Sequence, residues 1–499
     1  MTFDRSKSPV PTAGPAAARN SYDTDVPPNL HNYMLKSWNL QARKPPKGLP
    51  GAGNFRKRRE RLSERFRGDW LIIPTGHSKV RANDTYYPFR PGTDFFYLTG
   101  VWEADSVLLF EPGADGHAQL LFVEPNPGRS DASFFTDRRK GELWEGPRLG
   151  VAEAQTRYGI ECRGLPELAA ALQLASGKRR GTVRVLRGID QQTEALLTPA
   201  GTQAPASEAD KEFAAFLSEM RLIKDSREVK ALASAVASTK RGFEDVIARL
   251  KTAHSERELE GVFWTRARME GNEVGYTSIV ASGAHACTLH WKKNDGALKS
   301  GDLLLLDAGV EGNSLYTADI TRTLPISGKF TPSQRAIYEL VLEAQEAALK
   351  LVKPGNDFMA PNKAAMAVLA RGLERLGILP MSAEEALREE NQFYRRYSLH
   401  NVSHMLGLDV HDCAQARAEN YKYGKLEAGM VLTVEPGLYF QVDDLTVPVR
   451  YRGIGVRIED DVVVTAKGHR VLSSTLPRNA DEVEKWMRGI WKGRRSRMR

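Results

Sequence analysis

The sequence predicts an α/β N-terminal domain followed by a larger α+β domain. Three observations carry this reading. Short apolar runs separated by turn residues fill the chain as far as Leu186. A stretch of small and polar residues, Pro199–Ala209, then interrupts the pattern. Beyond it, long amphipathic helices alternate with β-rich stretches that carry acids and histidines.

In the first half, a basic helix-like stretch spans roughly Phe55–Phe66, and Trp70–Pro74, Phe95–Leu98, Ser106–Phe110 and Gln119–Val123 read as strands. A helical pattern at Pro166–Leu174 and a strand at Val183–Leu186 complete an α/β unit. In the second half, Asp225 with Glu228 forms a capping box ahead of the stripe Val229, Leu232, Val236, Phe243, Val246 and Leu250. Thr331-Pro332-Ser333-Gln334 is a second box, with proline at the first helical position. The expected division is a mobile extension over 1–45, an N-terminal domain over 46–205, a linker over 206–211, a catalytic domain over 212–490 and a basic tail over 491–499.

A chain of 499 residues exceeds one ordinary domain, and 41% apolar with 27% charged residues is a globular composition. No apolar run approaches the ~20 residues of a membrane helix. The early acids Asp4, Asp23 and Asp25, without an apolar segment, argue against a secretory signal. Three widely spaced cysteines (Cys162, Cys287, Cys413) exclude a disulfide framework or thiolate zinc site and point to a reducing, cytoplasmic compartment. The net charge of +9 is not a nucleic-acid signature. Arg43–Arg67 contributes +8 and Lys485–Arg499 contributes +7, so the excess sits in two terminal regions and reads as solvated faces, helix ends or subunit contacts.

Four motifs carry chemistry. Leu303-Leu-Leu-Leu-Asp307-Ala-Gly309, a polar turn, then Thr317-Ala-Asp319-Ile-Thr-Arg-Thr323 reads as a hairpin that can set two carboxylates side by side. Close carboxylates repel unless protonated or shared with a cation, and oxygen pairs suit hard divalent ions. Either aspartate alone would read as a turn cap. His400, His404 and His411 fall within twelve positions of a chain with ten histidines. Thr433-Val-Glu435-Pro-Gly437 and Arg457-Ile-Glu459-Asp-Asp461 place acids in apolar runs, where an unpaired buried carboxylate costs several kcal/mol. Arg457 could compensate either glutamate; a metal could compensate both. Four carboxylates and one imidazole balance two divalent ions, and this mixed O/N set favours Mn²⁺ or a similarly hard ion.

These motifs resemble the signatures of the metal-dependent pita-bread peptidases, and aminopeptidase P most closely, over about Glu212–Leu476. Tyr87-Pro-Phe-Arg90 and Asp94-Phe-Phe-Tyr-Leu-Thr-Gly100 are similar to that family's N-terminal creatinase-like domain. The resemblance implies a pita-bread catalytic domain and removal of an N-terminal residue that precedes proline, by a hydroxide shared between two metals. Asp307, Asp319, His404, Glu435 and Glu459 would hold two ions (Mn²⁺, with Zn²⁺ or Co²⁺ as alternatives), Asp319 and Glu459 bridging. Glu435 would also shuttle the proton. His290 would stand near the leaving nitrogen and His411 would stabilise the scissile carbonyl. His400, Tyr439 and Arg457 would line the proline pocket, and Trp144 would reach a neighbouring subunit's site in a homo-oligomer (dimer or tetramer). Partners would be peptides with proline second, with no nucleic acid or membrane. The alternatives are a prolidase, which cleaves Xaa-Pro dipeptides, and a catalytically inactive binding module.

Overall fold

The structure, a computed structural model, describes residues 24–39, 44–177, 181–197 and 205–497. The run Trp70–Pro74 is apolar throughout because it is buried throughout. It pairs antiparallel with Val107–Gly113 and parallel with Val183–Val185, inside a five-stranded sheet completed by Gly116–Val123 and Glu161–Gly164. Strand pleating parts the side chains into two cores. Leu71, Ile73, Leu108, Phe110 and Leu121 face one, and Trp70, Ile72, Val107, Leu109 and Leu120 face the other.

The strand expected over Phe95–Leu98 is a helix, Thr93–Thr99, ended by Gly100 in the left-handed region at φ 68°. Residues 95 to 99 are all buried, so no polar face imposes a helical period and a short apolar run looks the same in either state. The extension expected to be mobile falls largely outside the described residues. Its described part holds a helix, Pro28–Met34, and packs Trp38 against Phe134 and Phe135 at centroid distances of 6.4 and 6.0 Å.

The residues expected to be a linker over 206–211 instead begin the helix Glu208–Met220, because Ser207 and Asp210 form a capping box. Phe213, Leu217 and Met220 of that helix join the core on one face of the N-terminal sheet. Likewise the tail expected over 491–499 continues the helix Ala480–Arg497 as far as the structure describes it. Trp491 anchors that helix, buried and donating its indole N–H to Ile247 O at 2.6 Å.

In the larger domain the helices Ser226–Leu250 and Pro332–Leu349 start at the two capping boxes read from sequence. With Glu256–Glu270 and Ala360–Arg375 they pack around two three-stranded sheets. One contains Ile279–Ser282, Leu303–Ala308 and Ile320–Pro325; the other contains Val431–Val434, Asp460–Thr465 and Gly468–Val471. The ladder Gly437–Tyr439 with Gly455–Arg457 lies beside them. No described helix is long and apolar enough to cross a membrane.

Charge joins the two domains. Arg90 donates to Glu311 at 2.7 Å and to Leu408 O at 2.6 Å, while Arg221 links Asp94 to Asp412. Within the N-terminal domain, His77 is held between Asp105 and Asp190. Burial works against its positive form, but the hydrogen bonds and charges of the two aspartates outweigh this and raise its pKa. A raised folded pKa contributes stability that is complete below the unfolded value of about 6.5 and is lost as pH rises through the folded one. Urea unfolding followed between pH 6 and pH 8.5 is expected to show this decline, and His77→Gln is expected to flatten it.

Candidate metal centre

The acids sit where strands end. Asp307 pairs with Thr321 in the hairpin, and Asp319 immediately precedes the returning strand. The two arms meet closely at Gly309, where an added Cβ would lie 1.6 Å from Ala318 O. His404 belongs to a segment that runs beside Val431–Val434, fixed by Thr433 N–H to His404 O (3.0 Å) and Glu435 N–H to Val402 O (2.8 Å). Glu435 follows the last residue of that strand. Glu459 lies between Gly455–Arg457 and Asp460–Thr465, its N–H bound to Thr321 O at 3.1 Å.

This backbone framework brings all five expected ligands into one network. Donor atoms of Asp319, His404 and Glu459 lie within 4.8 Å of one another. His404 Nε2 is 3.2 Å from Asp319 Oδ2 and 3.5 Å from Glu435 Oε1. Asp307 joins through Tyr276, whose hydroxyl is 2.5 Å from both Asp307 Oδ1 and Asp319 Oδ1. Glu459 Oε2 accepts from Thr321 Oγ1 at 2.7 Å.

The charge balance shows what this set is built to hold. Burial, then Asp319 and Glu435, push the Glu459 carboxyl far above its ordinary range. Burial likewise raises Glu435 to about 7 against the pull of His404 and Arg457. Burial lowers the affinity of His404 for a proton, yet Asp319 and Glu435 together lift it to about 9. One arginine cannot neutralise so many acids, and each shift marks demand for positive charge. Four carboxylates and an imidazole in a water-poor cleft fit hard divalent ions.

Around this cluster, His400 Nε2 and Arg457 Nη1 both meet the Tyr439 hydroxyl at 2.8 Å. Burial, then the Arg457 charge, hold His400 near a pKa of about 4, so it stays neutral at physiological pH. The His411 ring stands edge-on to His404 at 4.5 Å, its pKa lowered by burial and by His404. His290 is close enough for its charge to depress both His400 and His411. Trp144 is apart from this group, half exposed on the short helix Glu142–Glu145, with its indole N–H on Phe135 O at 2.7 Å.

Arg457 pairs directly with Asp307, at 2.6 Å, and reaches Glu435 and Glu459 only through longer-range charge. The register places Arg457 opposite Gly437, two residues along the chain from Glu435, while Thr323 holds its backbone beside the hairpin. Sequence reasoning also missed Tyr276, Thr321 and Asp461. Asp461 accepts from the Asp319 N–H at 3.2 Å, and burial followed by Asp319 raises its pKa strongly. It was visible as the third acid of Glu459-Asp460-Asp461; Tyr276 carried no spacing signal at all.

Residues 230–466 match the model for metallopeptidase family M24, and residues 55–184 match the aminopeptidase P N-terminal domain. Xaa-Pro aminopeptidase 1 of Streptomyces coelicolor is 49% identical over 487 residues, covering 97% of both chains. The Xaa-Pro aminopeptidase of Escherichia coli is 34% identical over 445 residues, 87% of this chain and 97% of its own. Among solved structures, aminopeptidase P from E. coli in its low-pH form superposes with a TM-score of 0.79 at 32% identity, covering 88% of this chain and 99% of that one.

Substitution should separate ligands from their supports. His404→Ala and Glu435→Ala are expected to abolish turnover and to lower the ion stoichiometry seen by calorimetric titration, with the N-terminal domain still folded. Tyr276→Phe is expected to keep both sites but weaken ion affinity about 10–100-fold, as for other residues that orient ligands. Unchanged titrations in His404→Ala or Glu435→Ala would remove that residue from the ligand set.

Proposed function

This chain belongs to metallopeptidase family M24, in its aminopeptidase P group, and from that premise we propose how its own residues release an N-terminal residue from peptides with proline in second place. The observation that carries the proposal is the meeting of Asp307, Asp319, His404, Glu435 and Glu459 beside a wall made by His400, Tyr439 and Arg457.

Family membership implies divalent metal ions. Asp307 and Asp319 would hold one, His404 and Glu435 a second, with Asp319 and Glu459 shared. The oxygen-rich set favours Mn²⁺, and Zn²⁺ or Co²⁺ are the alternatives; one solved relative is a zinc-substituted E. coli aminopeptidase P. Such ions, when bound, supply an acidified water and Lewis acidity toward the peptide carbonyl.

The rest falls to the chain. Glu435, within reach of both His404 and His400, takes the proton of the attacking water and passes it to the proline nitrogen. His411, kept neutral by burial and its neighbour, donates an N–H to the carbonyl oxygen as negative charge builds there. His290 steadies the substrate at the leaving nitrogen. An Xaa-Pro bond is a tertiary amide with no N–H to offer and a ring that fixes its backbone. The aromatic edge of His400 and Tyr439 matches that ring. Arg457, buried against Asp307 and Tyr439, keeps this wall rigid.

Three buried free cysteines accord with a reducing, cytoplasmic setting. The exposed Trp144 is an anchor suited to a neighbouring subunit, and a homo-oligomer is the proposed assembly.

Release of the first residue should be measured from an Xaa-Pro-Xaa tripeptide and from the matching Xaa-Pro dipeptide. The tripeptide is expected to be the better substrate by kcat/KM. A chelator is expected to abolish the activity, and Mn²⁺ to restore it most fully. A preference for the dipeptide would make the chain a prolidase.

A further inference from the structure

His290 stands on the segment between Ser282 and Gly296, and one buried carboxylate ties that segment at four points, beside the buried Asn294, which bonds Val280 N–H and Ser278 O at 2.9 Å each. Glu256 opens the helix Glu256–Glu270 and is fully buried. Its Oε1 accepts the Ser282 N–H at 2.7 Å and faces His285 Nδ1 at 2.8 Å. Its Oε2 accepts the Trp291 indole N–H at 2.8 Å and the Gly296 N–H at 2.8 Å. A carboxylate has about four lone-pair positions and only accepts, so His285 must donate from Nδ1 and the group is saturated.

The four donors bracket the segment. Ser282 and Gly296 are its two ends, and His285 and Trp291 lie inside it, with Trp291 next to His290. The His285 and Trp291 rings stack at 3.9 Å and 24°. Gly296 leaves room for this arrangement, since a Cβ there would lie 2.6 Å from His285 Nδ1 and 2.7 Å from Glu256 Oε1. The opposite side of the segment is fixed to the substrate wall, where Gln441 donates to Cys287 O at 2.9 Å and Gly455 admits Ala286.

We propose that Glu256, acting through Trp291 and the stacked His285, is the positioning residue that sets where His290 meets the substrate. Glu256 does not touch the reacting atoms. It turns one buried charge into a fixed location for an exposed imidazole one residue from its indole partner. The proposal rests on the reading of His290 given above.

A double-mutant cycle tests it. Glu256→Gln keeps the shape but turns an amide NH₂ toward groups that all present hydrogens. Trp291→Phe keeps a ring on His285 and removes only the indole N–H, so it serves if Glu256→Gln does not fold. Each is expected to lower kcat/KM for a tripeptide substrate, by up to about 10²-fold for Glu256→Gln, the scale of a misplaced catalytic group. Ion affinity by calorimetry should not move. Neither substitution should lower kcat/KM further in a His290→Ala background, because the group they position is already gone. Losses that add to that of His290→Ala, or no loss in Trp291→Phe, overturn the proposal alone. Wild-type turnover by His290→Ala overturns the reading of His290 and this proposal with it.

Discussion

A buried surplus of negative charge governs this molecule. Asp307, Asp319, Glu435 and Glu459, with Asp461 behind them, share a cleft in which Arg457 is the one arginine among the described residues that reaches them. A charge withdrawn from water costs several kcal/mol unless it is matched. The chain tolerates the imbalance only where every backbone around it is over-determined. The hairpin closes at Gly309, the segment at His404 is laced to Val431–Val434, and Glu459 is tied to Thr321. Divalent ions held there would therefore add to the stability of this region as well as supply its chemistry.

The same logic explains why the N-terminal domain is attached as it is. The loop from Leu408 to Asp412, which carries His411, has little regular structure of its own. Arg90 and Thr93 hold Asp409, and Asp412 is shared between Arg221 and Lys224, both buried. Arg221 also reaches Asp94, so a helix of the N-terminal domain and the loop that carries His411 depend on one guanidinium. The smaller domain thereby braces the loop that carries His411.

What could be read from sequence followed from local rules. Capping boxes located two long helices because the box satisfies backbone donors whatever lies around it. The hairpin of Asp307 and Asp319 was legible from two apolar runs and a polar turn. The failures share a cause. The helix at Thr93–Thr99 is buried on every side and shows no period, while the helix at Glu208 begins inside a small-residue stretch whose cap, Ser207, resembles any linker serine. Tyr276, Glu256 and the pairing of Arg457 with Asp307 depend on contacts between distant segments. No spacing announces them.

The triplet Glu459-Asp460-Asp461 shows how far sequence and geometry diverge within three residues. Three adjacent acids look interchangeable, yet strand pleating sends alternate side chains to opposite faces. Asp460 turns outward from the cleft to Arg322, at 2.8 Å, with Ser473 and Arg478 beside it, and its pKa falls because these partners overcome burial. Glu459 and Asp461 point back toward Asp319, and their pKa values climb. One acid is neutralised by the protein and welds the sheet to the C-terminal segment. The two flanking it remain without enough positive charge. Within this triplet, the acid whose charge the protein completes belongs to the frame, and the two it leaves short of positive charge face Asp319.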